Sequence, residues 1–140
     1  MNITTSAIIN KEAYDAIVGM LVEYNESKTQ YQNYINKPIE ILIKGDDGGF
    51  LGGLYGRSIW GTLEVKTLAV HSKYRSKGIG GKLMLAAEKE ARNRKCKFIS
   101  LDTFSFQAPK FYEKLGFKRI GVETNFPEVE EKYYYRKELK

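Results

Sequence analysis

The stretch Val70-His71-Ser72-Lys73-Tyr74-Arg75-Ser76-Lys77-Gly78-Ile79-Gly80-Gly81-Lys82 interleaves cations with glycines. A loop that leaves a strand and enters a helix turns unpaired N–H groups toward one point, and the helix dipole adds partial positive charge there. Glycine lacks a Cβ, so phosphate oxygens can approach the backbone. Arg75, Lys77 and Lys82 place charge at the rim. The chemistry implied is phosphate binding, and three kinds of phosphate loop can be told apart. A Gly-x4-Gly-Lys-Ser/Thr loop fails at Ser76 and again at Leu83. A dinucleotide fingerprint needs a third glycine where Leu83 stands. The pattern left is Arg-x-x-Gly-x-Gly, met by Arg75, Gly78 and Gly80. A tight strand-to-helix turn with no ligand would have the same composition.

Elsewhere the reactive inventory is sparse. The single Cys96 excludes an internal disulfide framework and a cysteine-rich zinc site, and with one histidine, His71, no metal is expected. Cys96 precedes a strand and suits a small buried hydrophobe. His71 fits a turn, and Asp102 either a turn or the steering of an amine. Trp60, Tyr55, Tyr24, Tyr31, Tyr34 and Phe126 are candidates for the wall of an acceptor pocket. Glu123 and the Glu128, Glu130, Glu131 cluster would attract a cation or simply be solvated.

Residues 71–97 carry nine Lys and Arg against Glu88 and Glu90, whereas the whole 140-residue chain has a net charge of +6. The positive charge is therefore focused, which attracts anions. For Arg92–Lys97 a solvated helix face is the simpler reading. Nucleic acid is disfavoured as the anion because the patch interleaves no series of aromatics among its cations, Tyr74 standing alone. The length suits one domain, residues 1–140. No apolar run reaches the roughly 18 residues of a membrane helix. The first ten residues lack a basic and then apolar leader. The expectation is a cytoplasmic protein with no membrane partner.

The elements that must position these residues follow from periodicity. Asn10 is placed as an N-cap, with Ile9 set to staple onto Tyr14, and Tyr14, Ile17, Val18, Leu21 and Val22 form a helical stripe. Residues 25–37 read as a loop or irregular helix. Ile39–Lys44 and Phe50–Tyr55 read as a hairpin around Gly45–Gly49. Gly52, Gly53 and Gly56 mark where a backbone or ligand comes close. Thr62–Val70 is a strand whose two faces both turn apolar toward its end, predicting entry into the centre of a sheet. A helix follows from Gly78 to Arg94, then a strand over Lys97–Asp102 and a short helix from Pro109 to Leu115, ended by Gly116. Phe117–Val122 and Lys132–Glu138 are closing strands. The strand–helix–strand unit between 62 and 102 requires a parallel pair, and the others are hairpin-like. The fold class is α+β with a mixed, mostly antiparallel sheet.

Through Leu63–Val70, the Arg75-Ser76-Lys77-Gly78-Ile79-Gly80 turn and the Phe111-Tyr112-Glu113-Lys114-Leu115-Gly116-Phe117 block, the chain resembles the GNAT N-acetyltransferase superfamily. Both blocks stand in the family's order and spacing. The resemblance covers about residues 50–122, with element order alone carrying it elsewhere. Asp102–Pro109 is similar to a bacterial subgroup of unassigned acceptor, with Lys110 where that subgroup commonly has glycine.

The resemblance implies acetyl-CoA as co-substrate and an amine as acceptor. The acceptor would be a small molecule or, alternatively, a peptide or protein amine. It implies two splayed parallel strands, Thr62–Val70 and Lys97–Asp102, with the pantetheine arm paired to the first as an added strand. Leu68, Ala69 and Val70 would meet the thioester and arm. Arg75, Ser76, Lys77, Gly78, Ile79, Gly80, Gly81 and Lys82 would hold the diphosphate. Glu64 stands at the family's general-base position, counted back from the glycine turn, although it could be only an ion-pair partner of Lys66. Tyr112 stands at the general-acid position, where a phenol with pKa ~10 is protonated at neutral pH. The resemblance also implies that a homodimer could form through the last strands. A non-catalytic acyl-CoA sensor and a basic nucleic-acid-binding module are the alternatives from other classes.

Overall fold

The structure, a computed structural model, describes residues 1–29 and 36–140. The chain divides into two compact units, Met1–Asn33 and Tyr34–Lys140. The first contains helix α1, Lys11–Lys28, capped as expected by the Asn10 side chain, which accepts from the Ala13 N–H at 2.8 Å. The helix runs into the stretch read from sequence as irregular. Tyr31 and Tyr34 lie outside the described residues.

The second unit is built on a six-stranded sheet in the order β1-β2-β3-β4-β6-β5. The strands are β1 (Lys37–Lys44), β2 (Phe50–Ile59), β3 (Thr62–Val70), β4 (Phe98–Phe104), β5 (Lys118–Thr124) and β6 (Glu131–Glu138). Helix α2 (Ile79–Asn93) joins β3 to β4, and helix α3 (Pro109–Lys114) joins β4 to β5. The β3–β4 pair is parallel and the other pairs are antiparallel, as the α+β reading requires. One expectation fails in detail. The last strand does not simply extend the sheet beyond β5; β6 lies between β4 and β5, so the β4–β6 pair is non-local rather than hairpin-like.

The α2 stripe of Leu83, Met84, Ala87 and Ala91 packs with Leu54, Leu63, Val65, Ile99 and Leu101 of the sheet, and Tyr112, Phe117 and Tyr135 complete the core. Arg94 belongs to this packing, against the expectation of a solvated face. Its side chain is 12% exposed. The guanidinium donates to Glu90 at 2.8 Å, the carbonyls of Lys37 and Pro38 at 3.0 Å each, and the Ser58 hydroxyl at 3.1 Å. It ties the end of α2 to β1 and β2. Replacing Arg94 by Ala leaves these acceptors unpaired in a half-buried place. A loss of about 2–3 kcal/mol follows, read as a lower urea midpoint at unchanged slope. Lysine in its place would recover little of it, since one ammonium cannot span that fork.

β3 carries the feature that shapes the site. Its register with β2 pairs Tyr55 with Thr67 but Gly56 with Val65, so Lys66 is an extra residue, a β-bulge. The bulge shifts the side-chain alternation by one position. Leu63 and Val65 are buried before it, and Leu68 and Val70 pack on the same core after it, while Thr67 and Ala69 are exposed. The strand's two apolar sets therefore arise from this phase change, not from burial on both faces. Gly56 makes the bulge possible, because a Cβ there would sit 1.9 Å from the Glu64 carbonyl oxygen.

Candidate functional site

β3 and β4 pair only from Thr62↔Phe98 to Val65↔Leu101. Beyond the bulge they part, because β2 holds β3 through Val70 and β6 holds β4 through Phe104. The wedge between them is a cleft of about 690 Å³. Its walls include Lys66–Val70, Arg75, Asp102–Phe104, Phe106–Ala108, Phe111 and Tyr112.

The direction of the β3 backbone follows from one hydrogen bond. The His71 N–H donates to the Leu51 carbonyl at 2.8 Å, which makes that position a hydrogen-bonded pair. By alternation, Ala69 and Thr67 direct their backbone groups to β2, whereas Leu68 and Val70 direct theirs into the wedge. Leu68 and Val70 thus present an open strand edge, with the Arg75 Nε 3.5 Å from the Val70 carbonyl. Ala69 lines the wedge without offering its backbone to it.

The glycine turn meets α2 at the same end. Gly78, the N-cap, has φ 79°, and no side chain caps the helix. A side chain added at Gly78 or Gly81 would meet nothing within 4 Å, so the first-turn N–H groups stand open to a ligand. Gly80 has a different reason: a Cβ there would lie 3.2 Å from the Phe111 ring. The Ile79 side chain packs on the core. Ser76 is also left-handed, at φ 61°. Arg75, Lys77 and Lys82 are exposed around this end, the Lys77 ammonium lying 5.5 Å from the Tyr74 ring centre. An open strand edge, uncapped N–H groups and exposed cations together suit a diphosphate joined to an extended amide-bearing arm.

Tyr112 is 9% exposed and lies among Phe111, Phe117 and Tyr135 at ring separations of 5.0, 6.0 and 6.4 Å. Its hydroxyl has no hydrogen-bond partner among the described residues, yet no buried side-chain polar atom is left unpaired. The ring is therefore core, and the hydroxyl opens to the cleft that the residue lines. Burial, helped by the charge of Asp102, raises its pKa above the ordinary phenol value and keeps it protonated.

Glu64 is on the opposite face of β3 and lines a neighbouring cavity of about 170 Å³ with Ser100, Ile120 and Tyr134. Lys66 and Asp102 border both cavities, so the two meet at the wedge. The Glu64 carboxylate accepts from Arg57 at 2.9 Å and pairs with Lys66 at 3.2 Å. Partial burial pushes its pKa up, but the hydrogen bonds and charges of Arg57 and Lys66 outweigh that and hold it below the usual glutamate range. Glu64 is thus an ionised partner of two cations, in a cavity that Tyr112 does not line.

The remaining candidates separate cleanly. His71 Nδ1 accepts from the Lys73 N–H at 3.1 Å and shapes the turn. Cys96 is buried, and desolvation raises its thiol pKa. Trp60, at φ 47°, forms the β2–β3 turn with Gly61 and does not line the wedge. Tyr55 is likewise outside it. Asp102, read first as a strand end, is inside β4 and belongs to the site. Gln107 was not anticipated. Its side-chain oxygen accepts from the Thr103 hydroxyl at 3.0 Å and the Phe104 N–H at 2.8 Å, fixing the end of β4. Among the described residues no helix is long and apolar enough to cross a membrane, and no group of His, Cys, Asp and Glu could hold a metal.

The acetyltransferase (GNAT) family profile matches residues 10–117. The chain is 37% identical to the acetyltransferase Atu2258 of Agrobacterium fabrum over 121 residues, covering 86% of this chain and 87% of that one. It is 33% identical to the blasticidin-S acetyltransferase of Streptomyces morookaense over 95 residues, 65% of this chain and 70% of the other. A Bacillus anthracis protein, crystallised with acetyl coenzyme A and suggested to be a streptothricin acetyltransferase, superposes with a TM-score of 0.67 at 26% identity. That superposition covers 84% of this chain and 68% of that one. The parted parallel strands, the glycine turn and the Tyr112 helix all lie within the matched residues, and the chain belongs to the acetyltransferase (GNAT) family.

Proposed function

We propose that this enzyme moves an acetyl group from acetyl-CoA to the primary amine of a small molecule by direct attack. The open Leu68–Val70 edge, running into the uncapped start of α2 with the Tyr112 hydroxyl in the same cleft, carries the reading. Arg75, Lys77, Lys82 and the N–H groups of Gly78–Gly81 are assigned to the diphosphate, and the Leu68 and Val70 backbones to the pantetheine arm. The bound co-substrate supplies a thioester carbon as electrophile and a thiolate as leaving group. The Leu68 N–H is the donor placed where negative charge grows on the attacked oxygen.

Two proton transfers remain for the protein. The amine nitrogen forms the new bond to carbon as the carbon–sulfur bond breaks. The proton the sulfur needs comes from Tyr112, and the proton the nitrogen sheds as the amide forms returns to the Tyr112 oxygen through solvent. A primary amine of pKa ~10.4 is protonated at neutral pH, and freeing it costs roughly 4.6 kcal/mol at pH 7. Glu64 is assigned to draw off that proton through intervening solvent, with Asp102, at the meeting of the two cavities, steering the cationic acceptor. Because Arg57 and Lys66 keep Glu64 ionised but weakly basic, Glu64→Gln should lower kcat/KM only about tenfold at pH 7. The deficit should shrink as pH approaches the pKa of the amine, and a pH profile of the two proteins checks it.

A small acceptor is favoured by the blasticidin-S and streptothricin relatives. A cytoplasmic setting, which keeps the lone Cys96 reduced, goes with this reading. Incubation with acetyl-CoA and a panel of amines tests it. Thiol release with addition of one acetyl group to an amine is the expected result. No binding of acetyl-CoA at millimolar concentration, or binding without turnover of any amine, would overturn it.

A further inference from the structure

Beyond Asp102 the wedge wall continues into a group of aromatic rings that acetyl transfer itself does not call for. The Phe104 ring stacks on Phe106 at a centre separation of 5.5 Å and 11°. On Phe126 it stacks at 5.5 Å and 6°. Phe104 and Phe106 line the cleft, and Tyr134 lines the adjoining cavity with Asp102. A positive charge already lies beside these rings. Lys132, opposite Phe104 in the β4–β6 register, holds its ammonium 5.9 Å from the Phe104 ring centre, 5.4 Å from Phe126 and 5.2 Å from Tyr134.

Two carboxylates back the enclosure. The Tyr134 hydroxyl is hydrogen-bonded to Glu123, which stands opposite Lys132 in the β5–β6 register, and Asp102 stands opposite Tyr134 in the β4–β6 register. A surface lysine ordinarily extends its ammonium into water. Here the ammonium stays beside three rings, with Glu123 opposite Lys132, an arrangement that suits an organic cation. Asp102 joins the enclosure to the wedge, where the reacting amine would stand.

We propose that Phe104, Phe126 and Tyr134, with Asp102 and Glu123, form the subsite for a second positive charge on the acceptor, and that the Lys132 ammonium holds the place until the acceptor displaces it. Diamines and amines bearing a guanidinium are then the preferred acceptors over monoamines. The inference rests on the acetyl-transfer reading above and narrows its substrate class.

The test compares kcat/KM for straight-chain diamines of three to six carbons with that for the matching monoamines. Phe126→Leu keeps apolar volume but removes a ring face, and should lower the diamine-to-monoamine ratio roughly fivefold, with Phe126→Tyr restoring it. Lys132→Ala vacates the enclosure and should raise the ratio by a similar factor. A second arm needs no turnover. Tetramethylammonium chloride, titrated by calorimetry against a potassium chloride control, should bind Lys132→Ala at millimolar concentration and fail to bind the Lys132→Ala, Phe126→Leu double variant. Ratios unchanged within twofold would overturn the subsite, as would tetramethylammonium binding that is absent from Lys132→Ala or indifferent to Phe126. If no amine is acetylated, the titration alone decides the subsite, while the failure of turnover falls on the acetyl-transfer reading.

Discussion

Tyr112→Phe is expected to lower kcat at least a hundredfold while leaving acetyl-CoA affinity within a factor of two. The substitution removes one oxygen from a ring otherwise fixed by Phe111, Phe117 and Tyr135, so the core keeps its shape. That oxygen has no protein partner among the described residues to leave stranded. The loss is therefore of the proton offered to the departing sulfur, an effect typically worth 10²–10⁴-fold. A thioester whose thiol is more acidic departs without that proton, so an acetyl thioester of an aromatic thiol should recover most of the lost rate. A purely structural role for Tyr112 would lower stability and slow both thioesters alike. Steady-state kinetics with the two donors, alongside calorimetric acetyl-CoA titration, distinguishes these outcomes.

Gly56→Ala is expected to have the largest effect on stability. The added methyl would stand 1.9 Å from the Glu64 oxygen, 3.0 Å from its carbonyl carbon and 3.2 Å from the Val65 Cα. All three are backbone atoms and cannot rotate away, so β2 and β3 must separate or the bulge must be lost. A loss of about 3 kcal/mol or more follows. Losing the bulge would also turn Leu68 and Val70 away from the core and close the parting of β3 from β4. Gly53→Ala is the matched comparison. Its methyl would meet the Leu42 Cδ2 at 3.2 Å and the Ile41 oxygen at 3.4 Å, and a flexible side chain gives way at lower cost. Urea unfolding should therefore separate the two variants by at least 2 kcal/mol, with acetyl-CoA binding lost in Gly56→Ala alone.

Local pattern explains why much of the site was readable before the structure. Thr62–Val70 has the bounds expected, since alternation inside the strand and turn residues beyond it mark both ends. Gly78, Ile79 and Gly80 open α2 as anticipated, because left-handed backbone and uncapped N–H groups follow from residue type. The bulge was also legible, in hindsight, as apolar spacings of two, three and two from Leu63 through Val65 and Leu68 to Val70. Read as strict alternation, the same residues mislead. What stayed hidden is what arises from contacts distant in sequence. β6 enters between β4 and β5, and its pairing extends β4 through Phe104, past the polar Asp102 that read as an end. Arg94 is half-buried only because β1 brings two carbonyls and β2 the Ser58 hydroxyl to it. The Phe104, Phe126 and Lys132 group depends on that same non-local strand, and no spacing within one segment announces it.

A crystal structure with acetyl-CoA bound tests the central claim most directly. The claim predicts the pantetheine arm hydrogen-bonded along Leu68 and Val70, the diphosphate on the N–H groups of Gly78–Gly81, and the sulfur within hydrogen-bond reach of the Tyr112 hydroxyl. An arm seated elsewhere, with β3 and β4 paired through Val70 and Phe104 and the cleft closed, would contradict it.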